Sequence, residues 1–297
     1  MTRDMTVVLG GSGDIGSVLV AQLKKNQDSF LAPTSKQVDL TNPGSTENFF
    51  SSISEPYSLV FAAFLGGRQG ENEQTLELNM LMIENVINFT NPSSLVFLSS
   101  MDVYGKNPKL PITENTSTDD SSFYCRAKLL AESKLSQTFA EEIALLVLRL
   151  PGVYGGQGPR NAALDRILAK GIKEGLIDVG VGGSLLRDWI YSSELARFLI
   201  EWLSKPTSGT FNFATGESWT INRYISECLP GLGDIRHEII EIDEVKKSNF
   251  GADYVFDSKN FNLAFNGWKF ETRAASLKKF TNLTKDHLNK VKVDSTQ

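Results

Sequence analysis

The chain is poor in the residues that metal sites and disulfide frameworks require. Its 297 residues include two cysteines, Cys125 and Cys228, and two histidines, His237 and His287. The two thiols lie too far apart in sequence for a metal-ligand spacing and are too few for a disulfide scaffold. We therefore expect no metal site, little histidine-based acid–base chemistry, and a reducing, cytoplasmic environment.

The sequence also lacks long apolar runs and clusters of positive charge. No run approaches the roughly 18 residues that a membrane-spanning helix needs, and residues 1–5 lead into a strand pattern without the features of a secretory signal. The net charge is −5, which argues against nucleic acid or an anionic membrane as a partner. With 41% hydrophobic residues, the chain is expected to form one or two globular domains.

Short apolar runs alternate with helical patterns along much of the chain. The runs that predict strands span residues 6–9, 29–32, 58–64, 95–99, 144–150 and 210–214. The patterns that predict helices span residues 15–25, 75–89, 123–139 and 188–203. Such alternation favours an α/β fold with a doubly wound parallel sheet of the Rossmann type, covered by helices on both faces.

The alternation weakens after about residue 152, where glycine-rich stretches begin. We predict a dinucleotide-binding domain at residues 1–152, to which residues 186–215 return with a further strand. A smaller C-terminal substrate-binding region is then formed by residues 153–185 and 216–297. Its last stretch, 285–297, is polar and is expected to be a solvated helix end or a frayed tail.

A glycine-rich loop follows the first predicted strand. Gly10, Gly13 and Gly16 are spaced three apart and precede a helical pattern. Glycines at these places permit a tight turn, a close approach to a pyrophosphate, and close packing of helix on strand. The free N–H groups at the start of the helix favour phosphate. We therefore predict that this loop binds a dinucleotide through Gly10, Ser12, Gly13, Asp14, Ile15 and Gly16.

The end of the second predicted strand indicates which nicotinamide cofactor is preferred. An acidic residue there would bind the ribose 2′-hydroxyl and repel a 2′-phosphate, but residues 32–36 contain none. Thr34 offers a hydrogen-bond donor and Lys36 a positive charge. The sequence therefore favours NADP(H), with NAD(H) as the alternative.

A tyrosine and a lysine four residues apart are candidates for acid–base chemistry. On a helix, Tyr124 and Lys128 share one face, and the ammonium would lower the pKa of the phenol from its usual value of about 10. About 20 residues earlier, Ser99 and Ser100 end an apolar strand. Ligands of doubly wound sheets lie outside such strand ends, so a serine hydroxyl there is expected to orient a substrate oxygen near the phenol.

Together these motifs resemble the extended short-chain dehydrogenase/reductases, in the NAD-dependent epimerase/dehydratase branch that acts on nucleotide-linked sugars. The resemblance covers most of the chain. It rests on the glycine loop, Asp39-Leu40, Ala62-Ala63, Ser-Ser-x-x-Val-Tyr-Gly at 99–105, Tyr-x-x-x-Lys at 124–128, Arg-Leu-Pro-Gly-Val-Tyr-Gly at 149–155, Arg-Asp-Trp-Ile-Tyr at 187–191 and Asn-Gly-Trp-Lys at 266–269.

The resemblance implies a role for each matching residue. Ser100, rather than Ser99, would be the catalytic hydroxyl, Tyr124 the acid–base group, and Lys128 the residue that holds the nicotinamide ribose. Arg187 would meet the substrate diphosphate, and Asp102 would lie at the substrate. The remaining cofactor contacts would be Asp39 and Leu40 beside the adenine, Ala62, Ala63 and Phe64 along the middle, and Pro151 and Val153 at the nicotinamide. A homodimer is common in the family.

Small departures bear on the reaction. In 4,6-dehydratases an acidic pair follows the catalytic hydroxyl, where this chain has Met101 and Asp102. Epimerases that work beside a keto group use a histidine, and none precedes Arg236. The sequence therefore favours NADPH-dependent reduction of a 4-keto nucleotide sugar. The alternatives are a C4 epimerase or a 4,6-dehydratase with tightly bound NAD, and a non-catalytic sensor that binds NADP.

Three features stay open at this point. Asp102 is interpreted as a ligand of a sugar hydroxyl, a residual acid–base group or a structural carboxylate. Gly152 stands where the family often has asparagine, which puts one contact in doubt. The nucleotide base and the sugar are expected to be selected by loops at residues 66–70 and 161–173.

Overall fold

The computed structural model describes residues 4–66, 70–156, 162–239 and 251–294. Its strands are β1 (Met5–Leu9), β2 (Phe30–Leu31), β3 (Tyr57–Phe61), β4 (Ser94–Ser100), β5 (Ala144–Leu150), β6 (Val153–Tyr154), β7 (Leu176–Asp178), β8 (Leu186–Arg187), β9 (Ile190–Tyr191), β10 (Gly209–Asn212), β11 (Trp219–Thr220) and β12 (Arg236–Glu238). Its helices are α1 (Gly16–Asn26), α2 (Pro43–Ser51), α3 (Glu73–Phe89), α4 (Phe123–Phe139), α5 (Ala163–Glu174), α6 (Ser192–Ser204), α7 (Ile221–Cys228), α8 (Lys259–Ala264) and α9 (Arg273–Asp294). Within these ranges no helix is both long and apolar enough to cross a bilayer.

Six parallel strands form the central sheet, in the order β10-β5-β4-β3-β1-β2. The chain starts at β1, adds β2 at one edge, then crosses to β3 and continues to the opposite edge. The order reverses between β1 and β3, so the loops after these two strands border a crevice at their carboxyl ends. The α/β fold with a doubly wound sheet is therefore confirmed.

The strands are apolar on both faces because helices cover both sides of the sheet. Val8 and Val60 point to one face, where they pack with α1 and α6. Their neighbours Val7 and Leu59 point to the other face, where they pack with α3 and α4. Side chains alternate along a strand, so one short apolar run supplies both cores.

Helix α4 carries the two residues of the Tyr-x-x-x-Lys motif and lies where the pattern predicted it. The Ser122 side chain accepts a hydrogen bond from the Cys125 N–H and so caps its start. Two other assignments need correction. The predicted helix at 188–203 begins at Ser192, because Ile190 and Tyr191 pair with β6 as β9. The segment at 161–173, interpreted as a loop, is largely helical, because α5 begins at Ala163. Residue 161 lies outside the described residues, and so do residues 67–69 of the other loop predicted to select the substrate.

Three two-stranded sheets with α5, α7 and α9 form a smaller assembly on the C-terminal side. Its core is aromatic and includes Tyr154, Trp189, Trp219, Tyr224 and Phe280. By contrast, Phe261 and Trp268 pack against Phe198 beside the large sheet. The segment after residue 216 therefore contributes to both cores, and the division into 1–152 with 186–215, and 153–185 with 216–297, remains a prediction.

Candidate active site

The glycine loop joins β1 to α1 in a turn that only small residues permit. Gly10 has φ +86°, and a Cβ there would lie 2.6 Å from the backbone nitrogen of Ala63. A Cβ on Gly16 would lie 2.2 Å from the carbonyl oxygen of Gly10. These contacts bring the start of α1 close to the end of β3, where Ala62 donates from its N–H to the Leu9 carbonyl at 2.9 Å. The resulting cradle of backbone beside a helix N-terminus fits the diphosphate of a dinucleotide.

The residues predicted to hold the adenosine end lie after β2. The Gln37 side-chain oxygen accepts from the Thr34 N–H at 2.9 Å and from its hydroxyl at 3.0 Å. Lys36 lies in this turn and is exposed. The Asp39 carboxylate accepts from the Thr41 N–H and hydroxyl at 2.9 and 2.7 Å. Asp39 therefore shapes the turn before α2, and both Asp39 and Lys36 are exposed to solvent.

The structure brings Ser100, Tyr124 and Lys128 together. Ser100 ends β4 opposite Leu150 of β5, and Tyr124 lies in the first turn of α4. Lys128 follows one turn later, is 4% exposed, and donates to the Leu98 carbonyl at 2.7 Å. The convergence follows from topology, because adjacent parallel strands end at the same edge of the sheet.

A cavity of about 270 Å³ opens beside these groups. Its lining includes Leu150, the predicted cofactor residues Pro151 and Val153 after it, and Ser100 and Tyr124. Asp14 and Ile15 of the glycine loop also line it. A single cavity therefore joins the glycine loop to the serine and the phenol, as a cofactor that reaches from diphosphate to reacting carbon requires.

The pKa of Tyr124 shifts in the direction opposite to the prediction. Burial raises it, and the negative charge of Asp102 raises it further, while hydrogen bonding with Ser100 lowers it. The Lys128 ammonium lies 3.7 Å from the centroid of the Phe64 ring and 5.7 Å from the centroid of the Tyr124 ring. The phenol is therefore protonated at neutral pH, the form that donates a proton.

Lys128 has the most shifted basic group of the site. Burial lowers the pKa of its ammonium to about 7, although the charges of Glu132 and Asp102 act in the opposite direction. The ammonium is also within reach of the Phe64 and Phe97 rings, at 3.7 and 4.7 Å from their centroids. Its charge therefore changes near neutral pH.

Asp102 contacts the Ser100 hydroxyl directly. The Ser100 hydroxyl donates to a carboxylate oxygen of Asp102 at 3.1 Å and accepts from the Asp102 N–H at 3.2 Å. The surrounding protein raises the pKa of this carboxyl by burial, although the residue still exposes surface. The Asp102 carboxylate thus has a local partner in Ser100, and its charge also acts on Tyr124. The three interpretations left open by the sequence stay predictions.

Gly152 departs from the family pattern for a visible reason. A Cβ at this position would lie 2.2 Å from the indole ring of Trp189. Trp189 is 5% exposed and belongs to the aromatic core of the smaller assembly. The indole therefore fills the space that a larger side chain at 152 would need, and no asparagine contact arises there.

Arg187 lies apart from the cavity, beside a residue that the sequence analysis missed. Its guanidinium stacks on Tyr254, 5.2 Å from the ring centroid, and donates to the carbonyls of Leu186 and Ala252 at 2.7 and 2.8 Å. The Tyr254 hydroxyl donates to the Gly105 carbonyl. Burial raises the pKa of the Tyr254 hydroxyl, and the charge of Asp102 raises it further. Tyr254 thus connects Arg187 to the Ser100 side of the cleft. No local motif marks it, because it arrives from the C-terminal segment.

Within the described residues, no group of three or more histidine, cysteine, aspartate or glutamate side chains is arranged to hold a metal ion. Cys125 and Cys228 are both free thiols.

Comparison with known proteins places this arrangement in a family. The profile of the NAD dependent epimerase/dehydratase family matches residues 6–214, which include the glycine loop and the three converging side chains. The chain belongs to this family. The predicted resemblance is therefore confirmed.

Individual relatives are distant. The chain is 26% identical over 286 residues to a probable UDP-arabinose 4-epimerase of Oryza sativa subsp. japonica, covering 76% of this chain and 67% of the relative. A GDP-mannoheptose C4 reductase from Campylobacter jejuni with NADP bound has a TM-score of 0.76 and 19% identity, covering 96% and 99% of the two chains. A UDP-glucose 4-epimerase from Thermus thermophilus in complex with NAD has a TM-score of 0.73 and 17% identity, covering 94% and 98%. The two structures establish the shared fold, and between them they hold both nicotinamide dinucleotides.

Proposed function

We propose that the protein is an NADPH-dependent reductase of a nucleotide sugar that carries a 4-keto group. The observation that carries this proposal is the cavity in which a protonated phenol, Tyr124, and a serine hydroxyl, Ser100, meet beside the glycine loop. The oxygen of a carbonyl placed there can receive the phenolic proton of Tyr124, and its carbon can receive a hydride from a cofactor. No further reacting group is needed.

The residues of the chain divide the work between them. Ser100 donates a hydrogen bond to the keto oxygen and holds it near Tyr124, which transfers its phenolic proton to that oxygen. Lys128, buried one helical turn after Tyr124, holds the nicotinamide ribose. NADPH, when bound, supplies the hydride to the keto carbon.

Two features support reduction over elimination or epimerisation. 4,6-Dehydratases use two acidic residues after the catalytic serine. This chain has Met101 at one of these two places and an acid, Asp102, only at the other. Residues 32–36, directly after β2, include no acid and present Lys36 to solvent, which suits a 2′-phosphate better than a bare ribose hydroxyl. Thr34 adds a hydroxyl at the same turn.

A C4 epimerase is the second candidate. It is favoured by the similarity to a probable UDP-arabinose 4-epimerase, and the same serine, tyrosine and lysine would serve it, with NAD retained between two half-reactions. A 4,6-dehydratase with tightly bound NAD has less support because of Met101. A non-catalytic NADP-binding sensor has the least, since all three converging side chains are retained.

The substrate contacts extend from the cavity to Arg187. The planar guanidinium suits two oxygens of a diphosphate, and its stacking on Tyr254 orients it. Asp102 is assigned to the sugar side of this cleft, where it contacts Ser100.

One assay separates the candidates. The purified protein is incubated with NADPH and a panel of 4-keto nucleotide sugars, and NADPH absorbance is followed. A reductase consumes NADPH in step with product. Tight NADPH binding with no absorbance change across the panel indicates a sensor. Interconversion of C4 epimers by protein that retains NAD, with no net cofactor consumption, indicates the epimerase.

A homodimer in the cytoplasm completes the proposal. Leu81 on α3 and Leu130 on α4 are 43% and 40% exposed, and the two helices pack side by side. The exposed ion pair between Glu84 and Lys134, 3.0 Å apart, lies on the same two helices. A second copy would cover the two leucines by pairing these helices into a four-helix contact.

A further inference from the structure

A buried carboxylate lies one helical turn beyond Lys128. Glu132 is 8% exposed and accepts a hydrogen bond from the Ser99 hydroxyl. Arg149 of β5 donates to it from Nε at 3.1 and 3.2 Å and from Nη2 at 2.7 Å. The carboxylate therefore connects α4 to the residue preceding the catalytic serine and to the neighbouring strand.

The ion pair between Glu132 and Arg149 is held by further buried groups. Arg149 also donates to the Tyr104 hydroxyl at 3.0 Å and to the Glu114 carbonyl at 3.2 Å. Tyr104 in turn donates to the Asn212 side chain at 2.7 Å, and the Asn212 N–H donates to the Glu114 carboxylate at 2.8 Å. This network joins β4, α4, β5 and β10 beneath the cavity. A buried network with so many partners fixes the geometry of the elements that it connects.

We propose that Glu132 is a positioning residue of the cofactor site: it anchors the turn of α4 that carries Lys128 and supplies the negative charge that the buried ammonium requires. The assignment rests on the proposed function, in which Lys128 holds the nicotinamide ribose. Glu132 itself does not line the cavity. It acts through Lys128.

The surroundings of Lys128 show why a nearby negative charge matters. Among the residues that the structure describes, the ammonium donates one hydrogen bond, to the Leu98 carbonyl, and it packs on the Phe64 and Phe97 rings. The charged groups that act on it are Glu132 from its own helix and Asp102 from the turn after β4. A buried ammonium with little solvation loses its proton readily, and these two carboxylates raise the pH at which it does so.

The consequence has a defined sign. With a pKa of about 7, Lys128 is charged below neutral pH and neutral above it. Binding of NADPH that uses the ammonium is therefore tightest below neutral pH and weakens as the pH rises through this value. Removing the Glu132 charge lowers the pKa of Lys128 further, so the weakening begins at a more acidic pH.

The test measures the dissociation constants of NADPH and NADH by fluorescence, from acidic to alkaline pH, for wild type and Glu132→Gln. We expect the pH at which binding starts to weaken to fall by at least about one unit in the variant, the usual effect of one close charge. Glu84→Gln removes an exposed carboxylate whose ion pair lies on the surface and is expected to leave the profile unchanged.

The double variant Glu132→Gln/Arg149→Met separates the charge effect from a loss of packing. Replacing both members of a buried ion pair by neutral residues is commonly tolerated, whereas removing one leaves the other charge unpaired. We expect the double variant to fold and to keep the acidic shift. A wild-type profile in the folded double variant would overturn the proposal, and so would an unchanged profile in Glu132→Gln. If neither dinucleotide binds the wild-type protein, the cofactor assignment fails, and with it both the proposed function and this inference. The test measures binding alone and does not depend on reduction activity.

Discussion

At the scale of single residues, the proposed site centres on Tyr124, whose phenol has a pKa that burial raises above its usual value. Ser100 and Tyr124 line one cavity and Lys128 lies one helical turn after Tyr124, as motifs at a strand end and a helix turn predict; the roles of the three residues stay predictions. Sequence reasoning assigned the wrong direction to the pKa of Tyr124. The sequence shows the spacing of Tyr124 and Lys128 but not that the ammonium lies against the Phe64 ring, nor that Asp102 faces the phenol.

Tyr124→Phe removes the proton donor and little else. We expect turnover to fall by about 10²- to 10⁴-fold, the usual contribution of a general acid, while the dissociation constant of NADPH stays within about twofold, as measured by fluorescence titration. Tyr57→Phe, which removes a phenol at the opposite end of the sheet, is the control and is expected to keep wild-type turnover. Near-native turnover of Tyr124→Phe would refute the catalytic role of the phenol.

Lys36→Ala tests the cofactor preference. Loss of a charge-assisted contact to the 2′-phosphate is expected to raise the dissociation constant of NADPH about tenfold and to leave that of NADH unchanged. Lys24→Ala, on the last turn of α1, should alter neither. Equal weakening of both cofactors, or tighter binding of NADH by the wild-type protein, would end the proposed preference.

At the scale of elements, the strand–loop–helix unit of β1 and α1 followed from its glycine spacing, since only backbone without Cβ fits where Gly16 meets Gly10. Helix α5 did not follow from the sequence. Its first residues follow Ala162, whose side chain does not cap the helix, and glycines interrupt the surrounding pattern. The short strands β6, β8, β9 and β11 were also missed, because two-residue strands form through pairing with distant segments and have no periodicity of their own.

Gly16→Ala tests the glycine loop as a unit. The added methyl group would lie 2.2 Å from the Gly10 carbonyl oxygen, so the helix must move away from the strand. We expect a loss of about 1–3 kcal/mol in the free energy of unfolding, measured with urea, together with loss of NADPH binding. Gly267→Ala, which has no atom within 4 Å of the added Cβ, is expected to change stability by less than about 0.5 kcal/mol. Native stability and affinity in Gly16→Ala would contradict the close approach.

At the scale of the whole molecule, the parallel sheet could be predicted from alternation alone, whereas the joining of distant segments could not. Tyr254 reaches the cleft and Phe261 reaches the core of the large sheet from a C-terminal part that has no clear pattern. Contacts of this kind depend on tertiary packing. The sequence pattern alone therefore does not predict which core or cleft Tyr254 and Phe261 join.

Leu81→Glu combined with Leu130→Glu tests the proposed homodimer. A charge on each exposed leucine of α3 and α4 would oppose burial of this face, so we expect a monomer by sedimentation, with the wild type sedimenting as a dimer. Leu263→Glu, at a leucine that is 69% exposed on α8, is the control and should leave the dimer intact. A dimeric double variant would mean that another face carries the contact.

The transfer of label from cofactor to sugar is the most direct test of the central claim, that Ser100 and Tyr124 present a keto group for reduction. The protein is mixed with NADPH deuterated at the transferred position and with a 4-keto nucleotide sugar, and the product is analysed by mass spectrometry and NMR. The account predicts one deuterium at C4 and one NADP⁺ for each product molecule, with no product from Tyr124→Phe. A sugar recovered without deuterium, or C4 epimers interconverted while the cofactor stays unchanged, would contradict it.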